Sequence, residues 1–148
     1  MKSILDNETR AEIIQRIGAL NESCTAQGGK MNVRQMLRHC ILCEEMFLGK
    51  KKYKRLFIGR IFGKIGLKNM LKDEKPFGRN APTGTAFRNL TPSGDLTLEK
   101  EKWISLIQEY SNYSIENFEH WFFGKMTKNQ VGKFDYKHID HHLRQFNC

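Results

Sequence analysis

Three of the five histidines lie in one short stretch near the end of the chain, from Tyr136 to Phe146. If this stretch is helical, His138 and His142 lie one turn apart on its apolar face, and His141 lies at the margin of that face. The apolar face also carries Val131, Phe134, Ile139, Leu143 and Phe146. Two imidazoles one turn apart have Cβ atoms roughly 5 to 6 Å apart, which allows both to bind one divalent ion. The alternative is that both are hydrogen-bonded core residues.

Two predicted helices must position these side chains. Thr127 and Gln130 have the spacing of a capping box, so a helix is expected to begin there and carry the histidine pair. An earlier helix is expected between Asn32, a preferred N-cap residue, and Gly49, a preferred residue after a helix end. His39 falls on the apolar face of that helix and is the natural third ligand. We therefore predict a metal site formed by His39, His138 and His142.

The length of 148 residues is consistent with one domain spanning residues 1–148. A formal net charge of +9 favours an anionic partner, which can be nucleic acid, a membrane surface or a negatively charged small substrate. The four cysteines lack disulfide-framework spacing, and the N-terminal residues lack the apolar run of a signal peptide. No stretch approaches about 18 uncharged apolar residues. These features indicate a reduced, cytoplasmic protein without a transmembrane segment.

A dense group of basic residues occupies positions 50 to 72, where apolar residues interleave with lysines and arginines. This pattern predicts a basic amphipathic helix that either follows phosphates or lies on a membrane surface. Alternatively, its basic side is simply the solvated face of a packed helix. Residues Glu74 to Ser93 contain all three prolines, which favours a long loop.

The remaining pattern is helical, with a further helix from Asp95 or Thr97 to about Asn112 and no alternating strand pattern of any length. We therefore expect an all-α fold, an antiparallel four-helix bundle with an accessory helix and a long loop. Lys137, Asp140 and Arg144 are expected on the outward face of the last helix. Asp135 and His141 flank the histidine pair and are expected either to orient a ligand or to be solvated.

The residues 35–39, Gln-Met-Leu-Arg-His, and the residues 138–145, His-Ile-Asp-His-His-Leu-Arg-Gln, resemble the DinB/YfiT-like superfamily of bundle metalloproteins. More narrowly, residues 120–146 are similar to an uncharacterised bacterial branch of it. The resemblance implies an up-down-down-up bundle and a divalent metal held by one histidine of the second helix and two of the fourth, which match His39, His138 and His142. That branch commonly has proline after the first histidine of residues 120–127. This chain has Trp121 there, which leaves the role of His120 open.

Three imidazoles leave coordination positions free, as in catalytic sites, and imidazole suits zinc, nickel, copper and iron, of which zinc and nickel are favoured. The predicted function is therefore a metal-dependent enzyme of hydrolase or thiol transferase type, since the resemblance implies a superfamily in which some members are thiol-dependent transferases or isomerases and others are treated as hydrolases. Its expected substrate is a small molecule, either anionic or a low-molecular-weight thiol, and a homodimer is compatible with the fold. Nucleic acid is not the favoured partner. The alternative is a non-enzymatic basic helical module that binds nucleic acid or an acidic lipid surface. Cys43, one turn after His39, is a buried thiol or a further ligand.

Overall fold

A computed structural model describes residues 1–78, 84–87 and 95–147. This part of the chain is mostly helical and also contains a small two-stranded antiparallel sheet. The helices are α1 (Asn7–Ala19), α2 (Val33–Phe47), α3 (Phe57–Met70), α4 (Leu96–Glu109) and α5 (Lys128–Gln145). The strands are β1 (Asn117–His120) and β2 (Gly124–Thr127). Single-turn 3-10 helices cover Thr85–Phe87 and Tyr110–Asn112.

Capping boxes define the beginnings of α2 and α5. The Asn32 side chain accepts a hydrogen bond from the backbone N–H of Gln35 (2.9 Å), whose side chain accepts one in return from the N–H of Asn32 (3.0 Å). Thr127 and Gln130 make the same reciprocal pair at 3.2 and 2.9 Å. Each box satisfies donors that the first helical turn leaves unpaired. Both predicted helix starts are therefore confirmed.

The core lies between four of the helices. α2 packs against α4 and α5, and α1 packs against the same two helices. The largest fully buried side chains include Trp103, Tyr110, Phe47 and Phe146, which come from the α4 region, α2 and the end of α5. These contacts do not by themselves establish an antiparallel four-helix bundle with up-down-down-up topology. That architecture stays a prediction.

The prediction of an all-α fold is wrong, because β1 and β2 form a hairpin. His120 pairs with Gly124 across the turn, and Phe118 pairs with Met126. Alternate residues of each strand are buried, but each strand has only four residues. A pattern of period two needs more positions than that to stand out from the neighbouring helical pattern.

The outward face predicted for α5 is also partly wrong. Lys137 is buried, and its ammonium group donates to the carbonyl oxygen of Met70 (2.7 Å), the last residue of α3, and to that of Asp73 (3.0 Å), just after the helix. Asp140 is buried as well, and its carboxylate accepts hydrogen bonds from Arg16 and Arg144. Helical periodicity places these residues opposite the apolar face, but neighbouring segments cover them.

The long loop predicted from Glu74 to Ser93 lies largely outside the described residues. Residues 84–87, in the central part of this loop, are described. They include the 3-10 turn Thr85–Phe87, which packs against α2. Within the described ranges, none of the helices has both the length and the apolar composition needed to cross a membrane.

Candidate metal centre

The three predicted ligands come together between α2 and α5. One nitrogen of each of His39, His138 and His142 lies within 4.8 Å of the corresponding nitrogen of the other two. His138 and His142 are neighbours along α5, with ring centroids 4.7 Å apart, and His39 reaches them from α2. Such a cluster could hold one divalent ion, because the nitrogens converge on a common point from two rigid helices.

The closest approach joins the two helices directly. His39 Nε2 and His138 Nε2 lie 3.1 Å apart. Two imidazole nitrogens at this distance must either share a proton as a hydrogen bond or lie against a common cation, since two lone pairs facing each other repel. The donor set therefore fits a metal that prefers nitrogen ligands.

Two of the three rings are oriented by outer hydrogen bonds, which are those made by the ring nitrogen that faces away from the cluster. His39 Nδ1 lies 3.2 Å from the carbonyl oxygen of Phe87, an acceptor, so Nδ1 carries the proton and Nε2 presents a lone pair. His142 Nδ1 lies 3.2 Å from Oε1 of Gln145. The Gln145 amide nitrogen donates to the carbonyl oxygen of Gly28, which fixes its oxygen towards His142. His142 is thereby held in the same tautomer as His39.

The third imidazole is held differently. His138 is partly exposed as a residue, but its Nδ1 is buried and has no hydrogen-bond partner among the described residues. Its ring stacks on Phe134, with ring centroids 6.4 Å apart and planes nearly parallel. Packing and the contact with His39, and not an outer hydrogen bond, therefore position this ring.

All three imidazoles are held in the neutral form that a metal requires. Burial lowers the pKa of His39 from 6.5 to about 4, and the hydrogen bond to Phe87 opposes this only in part. Burial, together with the neighbouring histidines, lowers the pKa values of His138 and His142 well below 6.5. Deprotonated ligand nitrogens are therefore present at neutral pH without competition from protons.

Cys43 and His141 lie beside the cluster. Cys43 Sγ is 3.8 Å from His39 Nε2, but burial raises the pKa of this thiol well above 9, so it is not a ready thiolate. The His141 ring packs against both His142 and Phe77, and this residue is half-buried. Neither residue belongs to the converging set of three.

The structure gives His120 a role in the β-hairpin, which the sequence left open. Its Nδ1 accepts hydrogen bonds from the backbone N–H groups of Phe122 (3.1 Å) and Phe123 (3.2 Å), which closes the turn between β1 and β2. Burial, followed by the positive charge of Arg55, lowers its pKa to about 3. The neutral ring therefore serves as an acceptor in the hairpin, and it contacts Phe134, whose ring also contacts His138.

A buried acidic pair, Glu44 and Asp135, was not predicted. Glu44 accepts hydrogen bonds from the Tyr110 hydroxyl (2.7 Å) and from the Trp103 indole (3.3 Å), which connects α2 to α4. Asp135 on α5 is fully buried, and burial together with the charge of Glu44 raises its pKa well above the usual range. Burial also raises the pKa of Glu44. The pair therefore retains a proton, because two buried like charges are not stable together. The sequence offered one signal of this pair, since α2 and α5 each carry an acidic residue close to the apolar face.

Comparison with known proteins gives one match. Neither the curated proteins nor the solved structures yielded any similar protein. A family model described as "Protein of unknown function (DUF1569)" matches residues 2–148. This match does not connect the chain to the DinB/YfiT-like superfamily, so that relationship stays a prediction. The chain belongs to the DUF1569 family.

Proposed function

We propose that the protein is a metal-dependent enzyme in which His39, His138 and His142 hold one divalent ion. The observation that carries the proposal is the convergence of three neutral imidazole nitrogens within 4.8 Å from two helices. The alternative is a hydrogen-bonded histidine core, in which His138 Nε2 donates its proton to His39 Nε2. Zinc and nickel suit the donor set best, and iron is also compatible with it.

A divalent ion at this site supplies a Lewis acid that polarises an electrophile or lowers the pKa of a water or a thiol. The protein's own residues prepare the site for this. Phe87 and Gln145 hold the rings of His39 and His142 in the tautomer that leaves Nε2 free.

We infer hydrolysis or thiol transfer as the reaction class, with a small anionic molecule or a low-molecular-weight thiol as substrate. The net charge of +9 supports an anionic substrate, since a positive field raises its local concentration. The same proposal includes an antiparallel bundle of the DinB/YfiT-like type, which the pairwise packing of α1, α2, α4 and α5 supports.

Turnover by protein loaded with zinc or nickel, compared with chelator-treated protein, tests this function. Suitable probes are p-nitrophenyl acetate and p-nitrophenyl phosphate for hydrolysis, and glutathione with 1-chloro-2,4-dinitrobenzene for thiol transfer. We expect metal-dependent turnover of at least one probe, abolished in His142→Ala and retained in His141→Ala, the neighbouring histidine outside the cluster. Metal-loaded protein that binds its ion but turns over none of these probes would contradict the enzymatic assignment and leave the metal site intact.

A further inference from the structure

The exposed apolar surface is concentrated on one helix. Eight large apolar residues are exposed in the described part of the chain, and six of them lie between positions 56 and 65. These six residues, which we call the α3 apolar patch, are Leu56, Phe57, Ile58, Ile61, Phe62 and Ile65. Phe57 is 77% exposed and Ile65 is 63% exposed. A contiguous patch of this kind on a soluble fold marks an interaction surface.

The patch points away from the core because the other side of α3 is fixed to the hairpin. Gly59 and Gly63 are buried, and a Cβ at either position would meet the backbone of Phe122. Leu67, one turn further along, is buried on the same side. The glycines thus allow the helix to lie close against the turn of the hairpin, while its bulky side chains face outward.

Basic side chains border the patch. Residues 50–72 contain nine lysines and arginines and no aspartate or glutamate. Arg60, Lys64 and Lys68 are exposed and recur every fourth residue, so they follow one edge of the patch along α3. The surface therefore combines an apolar strip with a row of positive charges.

This combination discriminates between possible occupants. A second copy of α3 would bring two rows of like charge together without any acidic residue from the same segment to offset them. A nucleic acid would contact the basic row but would leave the aliphatic side chains of Ile58, Ile61 and Ile65 in water, since these cannot stack on bases as aromatic rings do. An anionic lipid surface satisfies both parts at once, because its headgroup region accepts the charges and its acyl boundary accepts the apolar strip.

We propose that α3 binds the surface of membranes that contain anionic lipid, with the α3 apolar patch inserted at the acyl boundary and Arg60, Lys64 and Lys68 on lipid phosphates. The helix lies in the plane of the surface, since its buried face stays attached to the hairpin. None of the residues of this surface belongs to the metal centre, and its binding does not depend on the proposed enzymatic function.

Co-sedimentation of the full chain with vesicles tests the proposal. Vesicles of phosphatidylcholine mixed with phosphatidylglycerol are compared with vesicles of phosphatidylcholine alone. We expect the wild type to bind the anionic vesicles and to bind the neutral ones much more weakly. Ile61→Asn should weaken this binding by roughly tenfold, because one buried aliphatic side chain is lost from the lipid phase. Lys68→Gln should weaken it by roughly fivefold and reduce the selectivity for anionic lipid.

Leu98→Asn provides the matched control, since Leu98 on α4 is 64% exposed but lies outside the patch. It should bind vesicles like the wild type, and circular dichroism should show all variants to be folded. The proposal is overturned if the wild type binds neither kind of vesicle, or if Ile61→Asn and Leu98→Asn bind equally. It is also overturned if sedimentation velocity shows an Ile61-dependent dimer, or if a single-stranded RNA binds, while anionic vesicles do not.

Discussion

The Nε2 atoms of His39 and His138 lie 3.1 Å apart, although 99 positions separate the two residues along the chain. The capping boxes of α2 and α5 fix the residue at which each histidine-bearing helix begins. The hydrogen bonds that His39 Nδ1 donates to Phe87 and His142 Nδ1 donates to Gln145 then select the nitrogen that faces inward. The candidate site is therefore built from local helix geometry and completed by two contacts between distant segments.

Substitutions of Gln145 test how much the outer hydrogen bonds of the histidine rings contribute to metal affinity. Gln145→Leu removes the acceptor for His142 Nδ1 and the bond to Gly28, and we expect zinc affinity to fall by about 10- to 100-fold. Competition with a chromogenic chelator measures this. Gln145→Glu is the matched variant, because it keeps an acceptor beside His142 and should retain most of the affinity. Equal affinities in Gln145→Leu and wild type would show that the ring needs no such support.

The contact between α3 and the hairpin can be tested by a pair of glycine substitutions. Gly63→Ala places a methyl group against the carbonyl oxygen of Phe122, and we expect it to lower the free energy of unfolding by about 1 to 3 kcal/mol. Gly18→Ala in α1 meets nothing within 4 Å and should instead raise it by about 0.5 to 1 kcal/mol. Urea denaturation measures both. If the two variants are equally stable, the close packing of α3 is wrong.

His120 predicts a dependence of stability on pH. Its folded-state pKa of about 3 lies below the unfolded value of 6.5, so the unfolded chain takes up a proton first as the pH falls. The stabilisation is therefore fully present above about pH 6.5 and is lost progressively as the pH falls towards 3, by about 3 kcal/mol between pH 6.5 and pH 4.

His120→Asn removes this titration and keeps an acceptor for the two backbone N–H groups of the turn. We expect urea denaturation of metal-free protein to show a shallower loss of stability below pH 6.5 in His120→Asn than in wild type. The acidic pair Glu44 and Asp135, with raised pKa values, contributes with the opposite sign but is the same in both proteins. Identical slopes would mean that His120 is not a buried neutral acceptor.

Local patterns predicted the parts of the structure that local forces determine. Thr127 with Gln130 and Asn32 marked the starts of two helices, and their spacing to His138 and His39 gave the inward-facing rings. The family resemblance strengthened the choice of the same three histidines. The structure brings these three together, and their binding of a metal stays a prediction.

The wrong expectations for α3 and α5 share one physical cause, which is that a helical pattern shows where apolar residues lie but not what covers each face. α3 exposes its apolar residues because glycines, not bulky side chains, form its packed side. Lys137 and Asp140 are buried because segments far along the chain fold over them. The hairpin was missed because its strands are short, and the role of His120 depends on the turn that they form.

Elemental analysis of untagged protein after loading with zinc or nickel and removal of the excess tests the central claim most directly. We predict about one divalent ion per chain in wild type and in His141→Ala, whose ring lies beside the cluster but outside it. His39→Ala and His142→Ala, which remove one ligand from each helix, should both lose the ion while remaining folded by circular dichroism. Wild-type protein that retains no metal, or variants that retain as much as wild type, would contradict the proposed three-histidine site.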